Sequence, residues 1–299
     1  MNTFQKWLKD DSKIILFDGA MGTQIMNRGI KPGKLPDLLN IEEPEVITEI
    51  HHSYYKAGSD MCQTNTFGSN LMNLKKHNLE DRLKEINEAA LDNISRAQLK
   101  DTVIVGDIGP SGEFKPPIGN ATHDGWRSSF LKQAKILQKG VDLWHIETIS
   151  DLDEMLAAID AVKEISDKPI ISSMTYRKTK KGFFTIMGNS VEECVSKTQD
   201  KATIIGTNCT LGSQEMLELL KEIKKYTTRS ISVKPNAGKP RLDTKTTKAS
   251  YDQSIEEYVQ DIHEMIDLGA KIVGGCCGTS PKTIKQIRNA LKSKNKKLT

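Results

Sequence analysis

The 299-residue sequence lacks the long apolar runs of a membrane protein. No stretch approaches the roughly 20 apolar residues that a helix needs to cross a bilayer. The N-terminus also differs from a secretory signal, because residues 1–11 mix charged side chains with Trp7 and Leu8 and offer no small-residue cleavage site. From these two absences we expect a cytoplasmic protein that has no membrane partner.

A strong excess of one charge is missing as well. The chain carries 43 Lys and Arg against 39 Asp and Glu, a net charge of +4. Part of this excess lies in residues 293–299, which we predict to be a frayed basic tail. Proteins that bind nucleic acid need basic side chains to neutralise its phosphates, so nucleic acid is not an expected partner.

Cysteine is scarce, and its count of five is odd. An odd count in a long chain argues against a disulfide framework and favours reduced thiols, a metal or catalysis. Cys62 lies inside a predicted strand and Cys194 inside a predicted helix, so both are expected to be small core residues. Cys209, Cys276 and Cys277 remain as candidates for chemistry.

What the sequence does contain is an alternation of short strands rich in β-branched residues with longer segments of helical period. The predicted strands are Ile14–Ala20, Asp60–Asn65, Val103–Gly109, Leu143–Thr148, Pro169–Tyr176, Thr203–Cys209, Ser230–Asn236 and Ile272–Cys277. The predicted helices that follow them are Pro44–Gly58, Asp81–Lys100, Gly125–Gly140, Ser150–Ser166, Ser190–Asp200, Ser213–Thr227, Ser254–Gly269 and Pro281–Ser293. Eight such units favour a (β/α)8 TIM barrel, in a single domain over residues 1–299. A doubly wound open sheet is the alternative.

Polar and sulfur-bearing residues stand at the C-terminal ends of the predicted strands, where barrel enzymes place their active sites. They are Asp18, Asn65, Asp107, Glu147, Thr175, Cys209, Asn236, Cys276 and Cys277. Two long loops, Gln24–Glu43 and Gly238–Ser250, follow the first and seventh strands and are predicted to cover this end of the barrel.

The three candidate cysteines suggest a metal site. Cys276 and Cys277 are adjacent, and neighbours in extended backbone point in opposite directions, so both reach one ion only if the chain turns there. The flanking glycines permit such a turn. Together with Cys209 they make three thiolates without a fourth protein ligand, which is the composition of an open tetrahedral zinc site. Iron–sulfur clusters normally need a fourth cysteine.

Four motifs carry a resemblance to a known family. They are Asp18-Gly19-Ala20-Met21-Gly22-Thr23, Thr64-Asn65-Thr66-Phe67, Gly206-Thr207-Asn208-Cys209 and Gly274-Gly275-Cys276-Cys277-Gly278-Thr279. With them, residues 14–292 resemble the homocysteine-binding barrel of the homocysteine S-methyltransferases. That family includes the N-terminal module of cobalamin-dependent methionine synthase, betaine-homocysteine methyltransferase and S-methylmethionine-dependent enzymes.

The resemblance implies an enzyme that transfers a methyl group to the thiol of homocysteine and forms methionine. It implies that Cys209, Cys276 and Cys277 are the catalytic zinc ligands. Asn236 matches a residue that approaches the metal when the thiol is absent.

The resemblance also implies how the amino acid part of homocysteine is bound. Asp18 and Glu147 would hold its amino group, and backbone amides around Gly19 and Ala20 would receive its carboxylate. Two alternatives stay open: Asp18 caps the following turn, or Glu147 pairs with a buried donor such as Lys234. The lysine is itself a departure, because the methionine synthase module usually has histidine there.

The methyl donor is expected to be a methylated corrinoid on a separate protein. Residues 41–70 favour the methionine synthase module, and no aromatic cage for a quaternary cation is apparent. The chain has no corrinoid-binding D-x-H-x-x-G motif of its own: Asp261-Ile262-His263 begins like one, but Ile266 replaces the glycine. S-methylmethionine, S-adenosylmethionine and betaine are the alternative donors. The basic stretch Tyr176–Gly188 is either a docking surface or a solvated loop.

Two other classes of function fit the same residues less well. A non-catalytic zinc subunit would need a fourth ligand, for which only Asn236 is at hand. A lyase or aldolase on this fold would show a Schiff-base lysine or phosphate-binding glycines. Lys234, near the end of the seventh predicted strand, keeps that second class open.

Overall fold

The computed structural model describes residues 2–30, 35–242 and 249–296. Its strands are β1 (Ile15–Leu16), β2 (Met61–Gln63), β3 (Val103–Ile108), β4 (Leu143–Ile149), β5 (Ile170–Met174), β6 (Arg177–Thr179), β7 (Gly182–Phe184), β8 (Ile204–Gly212), β9 (Ile231–Asn236), β10 (Pro240–Leu242), β11 (Ala249–Tyr251) and β12 (Ala270–Val273). Eight of them form one parallel sheet in the order β1-β12-β9-β8-β5-β4-β3-β2. A parallel bridge between Phe17 and Met61 joins its two edges. The predicted (β/α)8 barrel is therefore confirmed.

Helices surround the sheet and fill most of the connections. They are α1 (Thr3–Lys9), α2 (Met21–Asn27), α3 (Leu39–Glu42), α4 (Pro44–Ala57), α5 (Leu71–Lys76), α6 (Leu83–Ala97), α7 (His123–Leu137), α8 (Leu152–Lys163), α9 (Val191–Thr198), α10 (Ser213–Ile223), α11 (Ile255–Asp267) and α12 (Pro281–Lys296), with 3₁₀ turns at Pro36–Leu38 and Glu80–Arg82. All eight predicted helices are present. The first four residues of the predicted frayed tail, 293–296, belong to α12. Within the described residues, none of the helices is both long and apolar enough to span a bilayer.

Four helices escaped the sequence prediction because they are short. α1, α2, α3 and α5 have four to seven residues each, which is too few for a helical period to stand out. α2, α3 and one 3₁₀ turn lie largely within the predicted loop Gln24–Glu43. The other predicted covering loop, Gly238–Ser250, contains most of the β10–β11 hairpin. Residues 31–34 and 243–248 of these loops lie outside the described residues.

The first helix closes the N-terminal end of the barrel. Phe4 of α1 is fully buried in one cluster with the inward side chains of the barrel strands. That cluster consists of Ile15, Phe17, Met61, Val103, Val105, Leu143, Ile171, Ile204 and Ile272. An Asn2 capping box, in which Asn2 and Gln5 bond each other's backbone amides, fixes the start of α1. This cluster, the apolar plug, fills the N-terminal end of the barrel. It leaves the opposite, C-terminal end as the place for polar chemistry.

The Phe4→Ala variant tests the importance of this plug. Removing a fully buried phenylalanine should lower the free energy of unfolding by about 3–5 kcal/mol. The matched control is Phe114→Ala, since Phe114 is 38% exposed, and it should change stability by less than about 1 kcal/mol. Urea denaturation followed by circular dichroism measures both, and equal effects would show that α1 does not close the barrel.

Candidate active site

Two of the three candidate thiols lie in the loop after β12. The strand ends at Val273, so the predicted strand Ile272–Cys277 runs four residues too far. The loop is tied to the end of β9 by backbone hydrogen bonds from Cys276 to Pro235 and from Ala237 to Cys277, each 2.9 Å long. This attachment, rather than strand pairing, places Cys276 and Cys277 at the C-terminal end of the barrel.

Cys209 reaches the same place through an irregularity in β8. The strand continues to Gly212, but its pairing with β9 shifts between Asn208 and Gly212. Cys209 and Thr210 have φ angles of 59° and 60°, a left-handed conformation that costs free energy in residues other than glycine. The hydroxyl of Thr175 lies 2.6 Å from that of Thr210 and helps to hold this bulge. Cys209 is thus inside a bulge and not at the end of a regular strand.

The three sulfurs form one compact cluster. The Cys209 and Cys277 Sγ atoms lie 3.9 Å apart, and all three Sγ atoms lie within 4.8 Å of one another. Two thiolates on a tetrahedral zinc ion, each at about 2.3 Å, would be separated by about 3.8 Å. Hydrogen bonds with Cys209 and Cys276 lower the pKa of Cys277 to about 3, while hydrogen bonds with the other two thiols raise the pKa of Cys276, so the cluster favours one thiolate at Cys277. Both the spacing and the charge fit a zinc ion.

Tyr251 and Asn236 complete the surroundings of the cluster. The Tyr251 hydroxyl bonds the Cys277 thiol and contributes to its low pKa. Its ring lies so close to Gly278 that a β-carbon there would stand 2.3 Å from it, and Gly278 has a φ of 82°. Asn236 is buried at the end of β9, and its Oδ1 has no hydrogen-bond partner among the described residues. Sequence analysis missed Tyr251, since one aromatic residue in a predicted loop carries no signal.

A buried ion pair lies beside the thiols. The Lys234 ammonium donates to Asp18 Oδ1 and to Gln63 Oε1, both at 2.9 Å. Asp18 Oδ2 accepts a hydrogen bond from the backbone amide of Gln63 at 2.9 Å. Burial alone would lower the pKa of Lys234, but the charges of Asp18 and Glu147 outweigh it and the net shift is upward. Lys234 is therefore charged and pairs with Asp18. The alternative of Asp18 as a helix cap is wrong, because Ala20 is the residue that precedes α2.

Glu147 is held mainly by neutral groups. Gln63 Nε2 donates to its Oε1 at 2.7 Å, and the Asn208 side-chain amide donates to its Oε2. The Thr148 backbone amide, 2.9 Å from Asn208 Oδ1, fixes the orientation of that side chain. The same Asn208 amide nitrogen lies 3.9 Å from Cys276 Sγ. Glu147 thus sits one side chain away from the thiol cluster.

Asp107 and His145 lie next to Glu147 in the barrel. One ligand atom of each of these three residues lies within 4.8 Å of the others. Burial, with the nearby charge of Glu147, raises the pKa of Asp107 well above its usual range. Burial lowers the pKa of His145 well below its usual range. His145 donates from Nδ1 to Gln63 Oε1 at 2.9 Å, so its Nε2 accepts from Ser173 at 2.8 Å. In both residues burial favours the neutral form.

The other predicted site residues lie where β1 leads into α2. Gly19 and Ala20 directly precede the first residue of α2, Met21. The Ala20 amide donates to the Thr279 hydroxyl at 3.1 Å, so a carboxylate at this amide would replace that bond. The remaining cysteines, Cys62 and Cys194, are free and buried, as expected of core residues.

Comparison with known proteins agrees with this site. A family model described as homocysteine S-methyltransferase matches residues 15–291. The chain belongs to the homocysteine S-methyltransferase family. The resemblance inferred from the four motifs is thereby confirmed.

Similar proteins include relatives much longer than this chain and one of nearly the same extent. Methionine synthases of Mycobacterium leprae (strain TN) and Mycobacterium tuberculosis (strain ATCC 25618 / H37Rv) are each 29% identical to it over 93% of its length. The chain spans only about a quarter of these relatives, 24% and 25% of their lengths. The metallated homocysteine methyltransferase MmuM of Escherichia coli superposes with a TM-score of 0.81 and 21% identity, covering 97% of this chain and 100% of that one. At this identity the structural match supports the fold.

Gly275→Ala tests the packing that positions the cysteine loop. A β-carbon at Gly275 would lie 2.4 Å from the Thr279 hydroxyl oxygen, so the loop that carries Cys276 and Cys277 must move. We expect a loss of about 1–3 kcal/mol in stability and weaker zinc binding. Gly22→Ala is the control, because nothing lies within 4 Å of a β-carbon there. Chelator competition measures zinc affinity, and equal affinity of the two variants would contradict this account.

Proposed function

We propose that the protein is a zinc-dependent methyltransferase that methylates the thiol of homocysteine to give methionine. The observation that carries the proposal is the open cluster of Cys209, Cys276 and Cys277, next to buried carboxylates that suit an amino acid. Family membership supports the same acceptor. A single domain over residues 1–299 is part of the proposal. A cytoplasmic location is also part of it, since free thiols require a reducing compartment.

The three cysteines would hold the zinc ion, with a fourth position open to the substrate. When bound there, zinc supplies a Lewis acid that favours the thiolate form of the acceptor, which is otherwise mostly protonated at neutral pH. The role of the protein is to orient that acceptor: the amides at Gly19 and Ala20 would bind its carboxylate, and the carboxylates of the pocket would bind its amino group.

The transfer itself balances as a nucleophilic displacement. The acceptor thiol releases its proton to solvent, and its sulfur forms a bond to the methyl carbon of the donor. The bond between that carbon and the donor breaks, and the donor keeps the electron pair. A buried Asn236 with an unpartnered Oδ1 among the described residues provides a polar contact near the site when no substrate is present.

The geometry argues against a non-catalytic zinc subunit and against a lyase or aldolase. A structural zinc site would be closed by four ligands, and the described part of the chain groups only three cysteines here. A Schiff-base enzyme needs an uncharged lysine, whereas the Lys234 ammonium is paired with Asp18 at 2.9 Å. An open thiolate site for transfer chemistry is the better fit.

We further propose that the donor is a methylated corrinoid carried by a separate protein. Several exposed apolar side chains lie on loops that follow barrel strands and so surround the C-terminal end. They are Phe67, Phe114, Ile118 and Ile186. Apolar groups around a site mouth suit a macromolecular donor more than a small ion. The mycobacterial relatives, named methionine synthase and about four times longer, support this donor class.

Small onium compounds are the second candidate for the donor. In its extent the chain resembles the Escherichia coli homocysteine methyltransferase, whose chain it covers in full, more than the longer methionine synthases. The basic stretch Tyr176–Gly188 forms the β6–β7 hairpin, in which Lys178 pairs with Glu218 at 2.6 Å. Its role as a docking surface stays a prediction.

Replacing the site cysteines should abolish zinc binding. We expect one zinc per chain in the reduced wild-type protein, and none after Cys209→Ala or Cys277→Ala, because two thiolates no longer make a stable site. Cys62→Ala is the control: its thiol is buried in the core, so this variant should keep its zinc. Elemental analysis and homocysteine methylation are measured together. Full activity in a metal-free variant would refute the zinc mechanism.

Turnover with different methyl donors identifies the natural class of donor. Purified protein is given L-homocysteine with methylcobalamin, S-methylmethionine, S-adenosylmethionine or betaine, and methionine is quantified. We expect methylcobalamin to support the reaction, and Phe114→Asp with Ile118→Asp to weaken the use of a protein-bound corrinoid more than that of free methylcobalamin. Turnover with an onium donor alone would replace the corrinoid proposal and keep the acceptor chemistry.

A further inference from the structure

Asp18 and Glu147, the two buried carboxylates near the thiols, differ in the charge of the groups that contact them. Asp18 is 2.9 Å from the Lys234 ammonium, whereas the hydrogen-bond partners of Glu147 carry no positive charge: they are Gln63, Asn208, Thr148 and Asp107. Both carboxylates are at least nine-tenths buried. A buried charge needs an opposite charge or several hydrogen bonds to be tolerated. Asp18 has that opposite charge within the protein, and Glu147 does not have it as a direct contact.

Lys234 is held firmly in place beside Asp18. Its ammonium contacts Asp18 Oδ1, Gln63 Oε1 and the face of the Phe17 ring, whose centroid is 3.7 Å away. These contacts come from the region of β1 and from β2, while Lys234 itself belongs to β9. Asp18 Oδ2 also accepts a hydrogen bond from the backbone amide of Gln63 at 2.9 Å. A second ammonium at Asp18 would meet the charge of Lys234 at close range, and like charges repel.

Lys234 also determines how Gln63 presents itself to Glu147. Gln63 Oε1 accepts from both Lys234 and His145, so the amide nitrogen must point the other way, to Glu147 Oε1 at 2.7 Å. The amide is a neutral donor that orients Glu147 and leaves its charge in place. Asn208 orients the other oxygen and contacts Cys276 as well. Burial raises the pKa of Glu147, and the nearby charge of Lys234 opposes that shift. Glu147 is therefore positioned as a hydrogen-bond acceptor close to the thiols.

We infer that Glu147 alone binds the amino group of the acceptor, and that Lys234 is a positioning residue which removes Asp18 from that task. This inference rests on the proposed function and changes the role expected for Asp18. The acceptor class that follows is a thiol with one ammonium group, matched to a carboxylate that has no direct cationic contact among the described residues. The raised pKa of Lys234, caused by Asp18 and Glu147 against the effect of burial, agrees with a permanently charged lysine.

The test compares two thiols that differ only in the amino group. L-homocysteine and 4-mercaptobutanoate share the thiol, the carbon chain and the carboxylate. Calorimetry on the zinc-loaded protein gives the ratio of their dissociation constants, which measures how strongly the amino group is bound. We expect wild-type protein to prefer homocysteine by about 30-fold or more, since losing one partner of a buried charge pair has a large cost.

Double variants then separate the two carboxylates. Asp18→Asn alone should reduce the preference, because the freed Lys234 can turn to Glu147 and compete with the substrate. Asp18→Asn combined with Lys234→Met removes the competing charge, and should return the preference to within about threefold of wild type. The matched control, Glu147→Gln with Lys234→Met, should leave the preference at least about tenfold lower.

Folding of the double variants is checked by thermal denaturation. Replacing a buried ion pair with neutral groups of similar volume is often neutral for stability, so both should remain folded. A preference that stays low in Asp18→Asn with Lys234→Met would show that Asp18 binds the amino group and would overturn the inference. Survival of the preference in the Glu147 double variant would overturn it too. If the wild-type protein bound neither thiol, the proposed function itself would fail.

Discussion

Buried negative charge at one end of the barrel is the constraint on which this site depends. The three thiols, of which Cys277 has a pKa lowered to about 3 by its neighbours, lie beside the carboxylates of Asp18 and Glu147. Anions out of contact with water need cations. Three can supply that charge: a metal ion at the thiols, Lys234 at Asp18, and the amino group of a substrate at Glu147. Only Lys234 is part of the chain.

The backbone is least regular where the site is built. Cys209 and Thr210 occupy a left-handed conformation inside a bulge of β8, and Gly278 does so beside Tyr251. Such conformations cost free energy and persist only when the surrounding structure holds them. Here they are held by the Thr175–Thr210 hydroxyl pair and by backbone hydrogen bonds from the cysteine loop to β9. The apolar plug around Phe4 at the other end provides a stable base for them.

The chemistry and the fold are linked through Gln63 and Asn208. Each side-chain amide has its orientation set by other groups, Gln63 by Lys234 and His145 and Asn208 by the Thr148 amide. Each then presents its nitrogen to Glu147. Because neutral donors orient a carboxylate without cancelling its charge, this arrangement keeps one acidic group available for an ammonium. Preorganised polar groups of this kind are what a binding site needs for specificity.

The sequence alone was enough for the eight βα units, the barrel, the three cysteines and the family, because hydrophobic period and motif spacing are local properties of the chain. It also placed Asp18 and Glu147 at strand ends. It could not reveal that β12 stops at Val273, that Cys209 sits in a bulge, or that Tyr251 reaches Cys277. The partner of Lys234 likewise had to come from the tertiary structure: Lys234 and Asp18 are 216 positions apart, and the pairing of β12 with both β1 and β9 brings them close enough for their charges to meet.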